Sequence, residues 1–255
     1  MRILDPSAWA GRKVLLVAPH PDDEALGCGG TVALITQAGA EVAVCVMGRG
    51  DGGVDGVTTA EGRQDESRKA CEILGTEAPS FADLPSPAIR EDPASAGARL
   101  AQCVEGRVFD TLLVPSPLER HDTHRACLTA ALLSGVATAD AEWWGWGVWD
   151  ALPAIDDVHE VDITAARVPK LRAVAAHKSQ DGARPLAAGM ASRDLAQAVY
   201  SRITGDEDRK AVERLWAMRG LGQAVAGEPD AAGAGRALRQ WLVGCQEQWV
   251  GGLWP

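Results

Sequence analysis

The sequence has no block of basic residues. Lys and Arg number 25 against 35 Asp and Glu in 255 residues, a formal charge of -10, and a surface of that sign repels phosphate backbones and anionic lipid. No nucleic acid and no membrane surface is therefore expected as a partner. No stretch approaches the roughly 18 uninterrupted apolar residues of a membrane span. The opening MRILDPSAWAGRK sets Asp5 and Pro6 where a signal peptide needs an apolar core, and the expected location is cytoplasmic. Paired cysteines are missing too: Cys28, Cys45, Cys71, Cys103, Cys127 and Cys245 stand singly, mostly inside apolar segments. That favours buried thiols in a reducing compartment over a zinc knuckle or a disulfide frame. Histidine is scarce, at five residues, and His20, His121, His124 and His177 fall in short polar clusters at the ends of predicted elements. What is present, 46% apolar and 24% charged residues, is the make-up of a soluble globule and excludes disorder as the main state.

Residues 13–18 (KVLLVA), 41–47 (EVAVCVM) and 110–115 (DTLLVP) are short Val-rich runs of strand length. Residues 79–84 add a less marked one. Segments of helical period lie between and after them, at 26–38, 60–74, 94–105 and 123–133. Strand alternating with helix argues for an α/β fold, a doubly wound, Rossmann-like parallel sheet with right-handed crossovers and flanking helices. From Glu142 the run EWWGWGVWDALP reads as a strand leaving the core. A further strand at 158–163 and a helix at 170–177 follow as C-terminal additions. Residues 220–237, rich in Gly and Ala, read as a linker, and Leu238, Trp241, Leu242, Cys245 and Trp249 recur at helical spacing. The expected division is one domain over 1–220 and a linker with an amphipathic helix over 221–255. That helix either docks on the domain or meets a second copy in a homo-oligomer.

Two clusters carry chemistry. The first strand ends in Ala18-Pro19-His20-Pro21-Asp22-Asp23-Glu24, followed by Gly27, Gly29 and Gly30. Three carboxylates at this turn would repel a dinucleotide pyrophosphate, and Val32 stands at the third fingerprint position, so a Rossmann oxidoreductase is disfavoured. The same carboxylates beside an imidazole suit a divalent cation. His20 and Asp23, three apart on a tight turn, can point one way with Asp22 beside them. The fourth strand leads through Ser116-Pro117-Leu118-Glu119-Arg120 to His121-Asp122-Thr123-His124, with both histidines on one face of an opening helix. Strands that flank the order reversal of a doubly wound sheet deliver their loops into one crevice, which would bring His20 to His124. Two His and one Asp leave a fourth position for water, as catalytic rather than structural zinc sites do. Taken singly, a Pro-Asp-Asp turn is an ordinary helix cap and a His-x-x-His an ordinary polar surface; their pairing at the switch point is what counts.

At these residues the sequence resembles the PIG-L/LmbE-like family of metal-dependent N-deacetylases, which act on N-acetylglucosaminyl compounds and relatives such as mycothiol precursors. The resemblance spans roughly Lys13 to Trp216. It rests on Pro-His-Pro-Asp-Asp-Glu at 19–24, then on Arg63, Glu66, Ala70, Leu74 and Gly75, His121 and His124, Val148-Trp149, Val161-Asp162-Ile163, Lys170, and His177-Lys178-Ser179-Gln180. The resemblance implies that His20, Asp23 and His124 bind zinc, with iron, cobalt or manganese as other candidates. It further implies that Asp22 is the general base, that His121 stabilises the oxyanion as an imidazolium, and that Arg63 and Asp83 meet the sugar. The family commonly has His-Pro-Asp-His where this chain has His121-Asp122-Thr123-His124. Asp122, about 100° round a helix start from His121, is expected to point elsewhere.

Of the remaining candidates, Glu24 reads as structural in a first helical turn. His177 is either a capping imidazole or a pocket residue, and His159 reads as a surface residue. Trp143, Trp144, Trp146 and Trp149 either stack on a sugar or fill a core. The implied function is metal-dependent removal of an N-acetyl or other N-acyl group from a small amino-sugar compound. An amidase acting on a larger conjugate, such as a mycothiol conjugate or an acylated sugar antibiotic, and a non-catalytic ligand-binding domain are the alternatives.

Overall fold

The computed structural model describes residues 2–50, 55–149, 152, 157–182, 184–203, 208–228 and 230–253. Strands β1 (Arg2–Ile3), β2 (Lys13–Ala18), β3 (Glu41–Gly48), β4 (Ser80–Leu84), β5 (Phe109–Pro115), β6 (Ala137–Trp146), β7 (Val158–Asp162) and β8 (Val212–Ala217) form one sheet in the order β1-β7-β8-β6-β5-β2-β3-β4. The five strands from β4 to β6 are parallel, whereas β8 runs antiparallel to both of its neighbours. Chain order reverses between β2 and β5, the switch point of a doubly wound sheet.

Alternation builds the two faces. Leu15 and Val17 of β2 enter one core with Cys45, Met47, Leu112 and Val114, while Val14, Leu16 and Ala18 enter the other with Val44, Val46, Ile35 and Leu113. Strands buried on both faces read as continuous apolar runs, and for that reason they are visible in the sequence. All six cysteines are free, and four of them are buried. Among the described residues no helix is long and apolar enough to cross a membrane.

The helices are α1 (Asp23–Leu26), α2 (Gly29–Gln37), α3 (Ala60–Leu74), α4 (Ser86–Glu91), α5 (Pro93–Cys103), α6 (Asp122–Leu133), α7 (Arg167–Ala176), α8 (Lys178–Asp181), α9 (Leu186–Ile203), α10 (Leu221–Val225) and α11 (Ala231–Leu253). The expected helix over 26–38 is broken at Cys28, whose φ -148° and ψ 34° leave the helical region. The preceding Gly27 is still helical, and a side chain there would come within 2.6 Å of the buried Trp146 ring. The N-terminus of α2 is capped by the chain's own anion: Glu213 of β8 accepts from the backbone amides of Gly30 (2.9 Å) and Thr31 (2.7 Å) and from the Thr31 hydroxyl (2.6 Å). Lys170 of α7, fully buried, joins Glu213 at 2.7 Å and Asp194 of α9 at 2.6 Å.

Three expectations are corrected. The strand at Glu142 begins earlier, at Ala137, and stays in the sheet beside β5; Asp150, Ala151 and Pro153 of the same run lie outside the described residues. His159 is not a surface residue: it is buried, with its ring edge-on to Trp144 at 5.1 Å, in a strand flanked by β1 and β8. The Gly/Ala-rich segment at 220–237 is not an open linker but forms α10 and the start of α11. Leu238, Trp241, Leu242 and Cys245 pack against the core, the Trp241 ring lies 5.2 Å from Trp216, and its indole N–H donates to the Arg219 carbonyl at 2.9 Å. The tail helix docks on its own domain.

Candidate active site

The carboxyl ends of β2 and β5 lie side by side, and the loops that follow them converge. After β2 the chain turns sharply through His20-Pro21-Asp22. The Pro19 carbonyl accepts from Gly48 at 2.9 Å, and the Arg63 guanidinium of α3 donates to the Pro21 carbonyl at 2.6 Å and reaches Asp22 Oδ2 at 3.4 Å. Asp22 takes φ 142° and ψ -27°, a region that non-glycine residues occupy only under constraint. The constraint is visible: its own amide donates to Glu24 Oε2 at 2.9 Å. Glu24 Oε1 in turn lies 2.9 Å from His177 Nε2, both side chains fully buried. Burial opposes both charges, but each partner outweighs it, so Glu24 is held below and His177 above its ordinary range.

Asp23 opens α1 with its carboxylate turned inward. Its Oδ2 accepts from the His20 amide at 2.9 Å and lies 3.1 Å from His20 Nδ1 and 3.2 Å from His124 Nε2. One ligand atom from each of His20, Asp23 and His124 falls within 4.8 Å of the others. Asp22 is not one of this set. His124, on α6, is buried with Nε2 lacking any hydrogen-bond partner. Burial disfavours charge on this ring, yet Asp23 and Glu119 on either side outweigh it and push its pKa up to about 10. A position that so favours positive charge, with an unpartnered imidazole nitrogen and a carboxylate oxygen turned towards it, fits a divalent cation. Asp23, raised by burial but lowered more strongly by His124 and His20, stays well below the ordinary carboxylate range.

Asp22, by contrast, is pushed up to about 7, first by burial and then by the adjacent Asp23, with Arg63 only partly offsetting them. A cation beside it would draw this value down and keep the carboxylate ionised. His121 precedes α6, 5.0 Å from the His20 ring and 4.8 Å from the His124 ring. Burial, then His20 and His124, lower its pKa, which disfavours the expected imidazolium. Asp122 is exposed and paired with Arg125, away from His121.

The cluster opens on a cleft of about 240 Å³. His20, Asp22, Asp23, Arg63 and His121, with Gln180 and Arg184, form its polar part, and Leu26, Val148, Trp149, Leu186 and Met190 its apolar wall. Of the Trp cluster, Trp143, Trp144 and Trp146 are core residues. Only Trp149 faces the cleft, half-exposed and stacked on His121 at 6.1 Å and 22°. Asp83, an expected sugar contact, and His177, a candidate pocket residue, are not brought here. Asp83 lies in β4 outside the cleft, at φ 57° and paired with Arg49 at 3.2 Å, and His177 is sealed in its pair with Glu24.

Gln180, part of the motif element at 177–180, enters the cleft from α8. Arg184, Leu186 and Met190, which no motif marks, enter it from α9 and the turn before it, and Arg193 clamps α9 down through the Gly147 and Leu26 carbonyls, each at 2.9 Å. Glu119 carries no signal beyond that of an ordinary loop residue. It is buried, with Oε2 3.5 Å from His124 Nδ1 and Oε1 accepting from the amides of Val148 and of Trp149, the latter at 3.2 Å.

Residues 15–133 match the family described as PIG-L, GlcNAc-PI de-N-acetylase. Over 191 residues the chain is 30% identical to the diacetylchitobiose deacetylase of Thermococcus kodakarensis, a match covering 66% of this chain and 70% of that protein. Over 100 residues it is 35% identical to the 1D-myo-inositol 2-acetamido-2-deoxy-alpha-D-glucopyranoside deacetylase of Kineococcus radiotolerans, 33% of this chain and 28% of that one. Among solved structures, a conserved protein of Thermus thermophilus shares the fold with a TM-score of 0.66 at 23% identity, over 81% of this chain and 94% of that one.

Proposed function

Since the chain belongs to the PIG-L family of de-N-acetylases, we propose that the cleft at the β2–β5 switch point hydrolyses the N-acetyl amide of a small amino-sugar compound. The observation that carries this reading is the meeting of His20, Asp23 and His124 within 4.8 Å, beside an Asp22 carboxylate that stands outside the ligand set. His20, Asp23 and His124 would hold the cation, with zinc the first candidate and iron or cobalt compatible with the same donors. When bound, such an ion acts as a Lewis acid and lowers the pKa of water.

The chain's own residues supply the rest. Asp22 accepts a proton from the attacking water, whose oxygen adds to the amide carbon. As the C–N bond breaks, the same carboxyl returns the proton to the departing nitrogen, so that acetate and a free amine leave. His121, neutral and facing the cluster, donates an N–H to the carbonyl oxygen as negative charge develops there. Arg63 holds the Pro21-Asp22 backbone and carboxylate in place, and Trp149 offers a flat apolar face for a pyranose ring. The wall of Leu186 and Met190 favours a second reading, in which a longer acyl chain or aglycone occupies the same cleft.

The test is a panel of N-acetylglucosaminides and longer N-acyl glucosaminides given to metal-loaded protein, with carboxylate and amine assayed separately. Acetate with an equal yield of amine is expected. Release only of longer acids would shift the assignment to the second reading. Binding without turnover of any member would reduce the protein to a ligand-binding domain.

A further inference from the structure

We propose that Glu119 is a positioning residue that sets the metal ligand His124 and the Trp149 wall of the cleft at once. The inference rests on the metal-centre reading above. Glu119 leaves the end of β5, α6 supplies His124, and Trp149 follows β6, so one buried side chain spans three segments around the cleft. Its two oxygens have separate duties. Oε1 accepts from the Val148 and Trp149 amides, which fixes the backbone that stacks Trp149 on His121 at 22°. Oε2 has no hydrogen-bond partner and lies 3.5 Å from His124 Nδ1, itself buried and otherwise unpartnered.

A carboxylate behind an imidazole draws the ring proton to Nδ1. That leaves the Nε2 lone pair directed at the cluster and makes it a stronger donor to a cation. Nothing else among the described residues performs this for His124. The exposed Asp122 faces Arg125, and Thr123 occupies the position between Asp122 and His124. Glu119, five residues before His124 in the chain, is therefore the carboxylate behind this ring.

The two duties can be separated by substitution. Glu119→Gln keeps a carbonyl oxygen for the two amides but turns an NH2 group on Nδ1, which forces the ring proton to Nε2 and blocks the lone pair. Glu119→Ala removes both functions. Zinc and cobalt affinities are measured by competition with a chromophoric chelator, the cobalt absorption spectrum is recorded, and KM is read on a cleaved N-acetyl substrate at saturating metal. Glu119→Gln is expected to bind metal about 10–100-fold more weakly with an altered cobalt spectrum and KM within about twofold of the parent. Glu119→Ala is expected to show the same metal loss and a raised KM. A Gln variant that binds cobalt and zinc as tightly as the parent overturns the ligand-setting role. An Ala variant with unchanged KM overturns the wall-setting role. A parent protein that takes up no divalent ion overturns the metal reading and this assignment with it, whereas a parent that binds beside an equally binding Gln variant overturns this assignment alone. Should the Ala variant fail to fold, the Gln variant still decides the ligand half, and Val148→Pro, which removes one of the two amide donors, decides the wall half.

Discussion

Replacing Lys170 with Met removes one charge from the interior and little volume. Lys170 is fully buried, and its ammonium lies 2.6 Å from Asp194 and 2.7 Å from Glu213. Taking one partner out of a buried ion pair costs about 3–5 kcal/mol, because the charges left behind are uncompensated. The loss depends on pH in a definite direction. Burial raises the Glu213 carboxyl, but Lys170 and the Thr31 hydrogen bonds outweigh it and hold the group below its ordinary value. Glu213 therefore adds stability that is present above its unfolded pKa and is lost as pH falls through the lower folded one. Asp194 is raised, with burial the main cause and Lys170 pulling the other way. Without the ammonium both carboxyls move up, and the folded variant retains a proton that its unfolded chain has released. Each such proton changes the deficit by about 1.36 kcal/mol per pH unit. Between about pH 5 and pH 7 the deficit then grows by about 3 kcal/mol for one retained proton, from about 1–2 to about 3–5 kcal/mol. Urea unfolding followed by tryptophan fluorescence at both pH values, with m unchanged, measures it. A deficit below about 1 kcal/mol near pH 7, or one equal at the two pH values, refutes the account of the triad as a mutually compensating charge cluster.

Protein purified without chelator is expected to carry about one divalent ion per chain, and His124→Ala to lose that ion while retaining its far-UV circular dichroism; elemental analysis of parent and variant checks this. Asp22→Asn is expected to keep the ion and lose about 10²–10⁴-fold in kcat, whereas Asp23→Asn weakens metal binding itself, and an Asp22→Asn protein stripped of metal would reverse the two roles. Asp122→Asn, which breaks only an exposed pair with Arg125, is expected to change kcat and thermal stability by less than about twofold and about 0.5 kcal/mol. A larger shift in the pH–rate profile of that variant would mean that Asp122 supports His121 after all.

The parallel strands β2, β3 and β5 and the cluster of His20, Asp23 and His124 are legible in the sequence because each signal is local. A strand buried on both faces leaves an unbroken apolar run, and His20 and Asp23 sit within a four-residue turn. What escapes the sequence is what depends on distant segments. Glu119 looks like any loop carboxylate until the 148–149 backbone, 29 residues on, closes over it. His159 reads as polar surface because the ring it packs against, Trp144, belongs to another strand. His177 carries equal signals for cap and for pocket, and the buried partner that decides between them, Glu24, lies in another element. The helix α9 shows no strong amphipathic period, since one side of it meets Lys170 and the cleft through Asp194 and Arg193 rather than through an apolar stripe. The strand β8 slots antiparallel between β6 and β7, against the alternation that reveals the first half of the sheet.

The backbone at Asp22 makes one turn a place where selection for folding and selection for turnover part company. At φ 142° an aspartate holds on the order of 1–3 kcal/mol of conformational strain, and glycine would release it. The backbone by itself favours glycine there; the carboxylate has the Arg63 contact at 3.4 Å in its favour and, under the proposed role as general base, turnover as well. A lineage freed from the need to hydrolyse its ligand would gain stability by surrendering residue 22 first, while His20, Asp23 and His124 could persist and still hold an ion. The identity of this one position therefore separates descendants that still act on their ligand from those that have kept only the means to bind it.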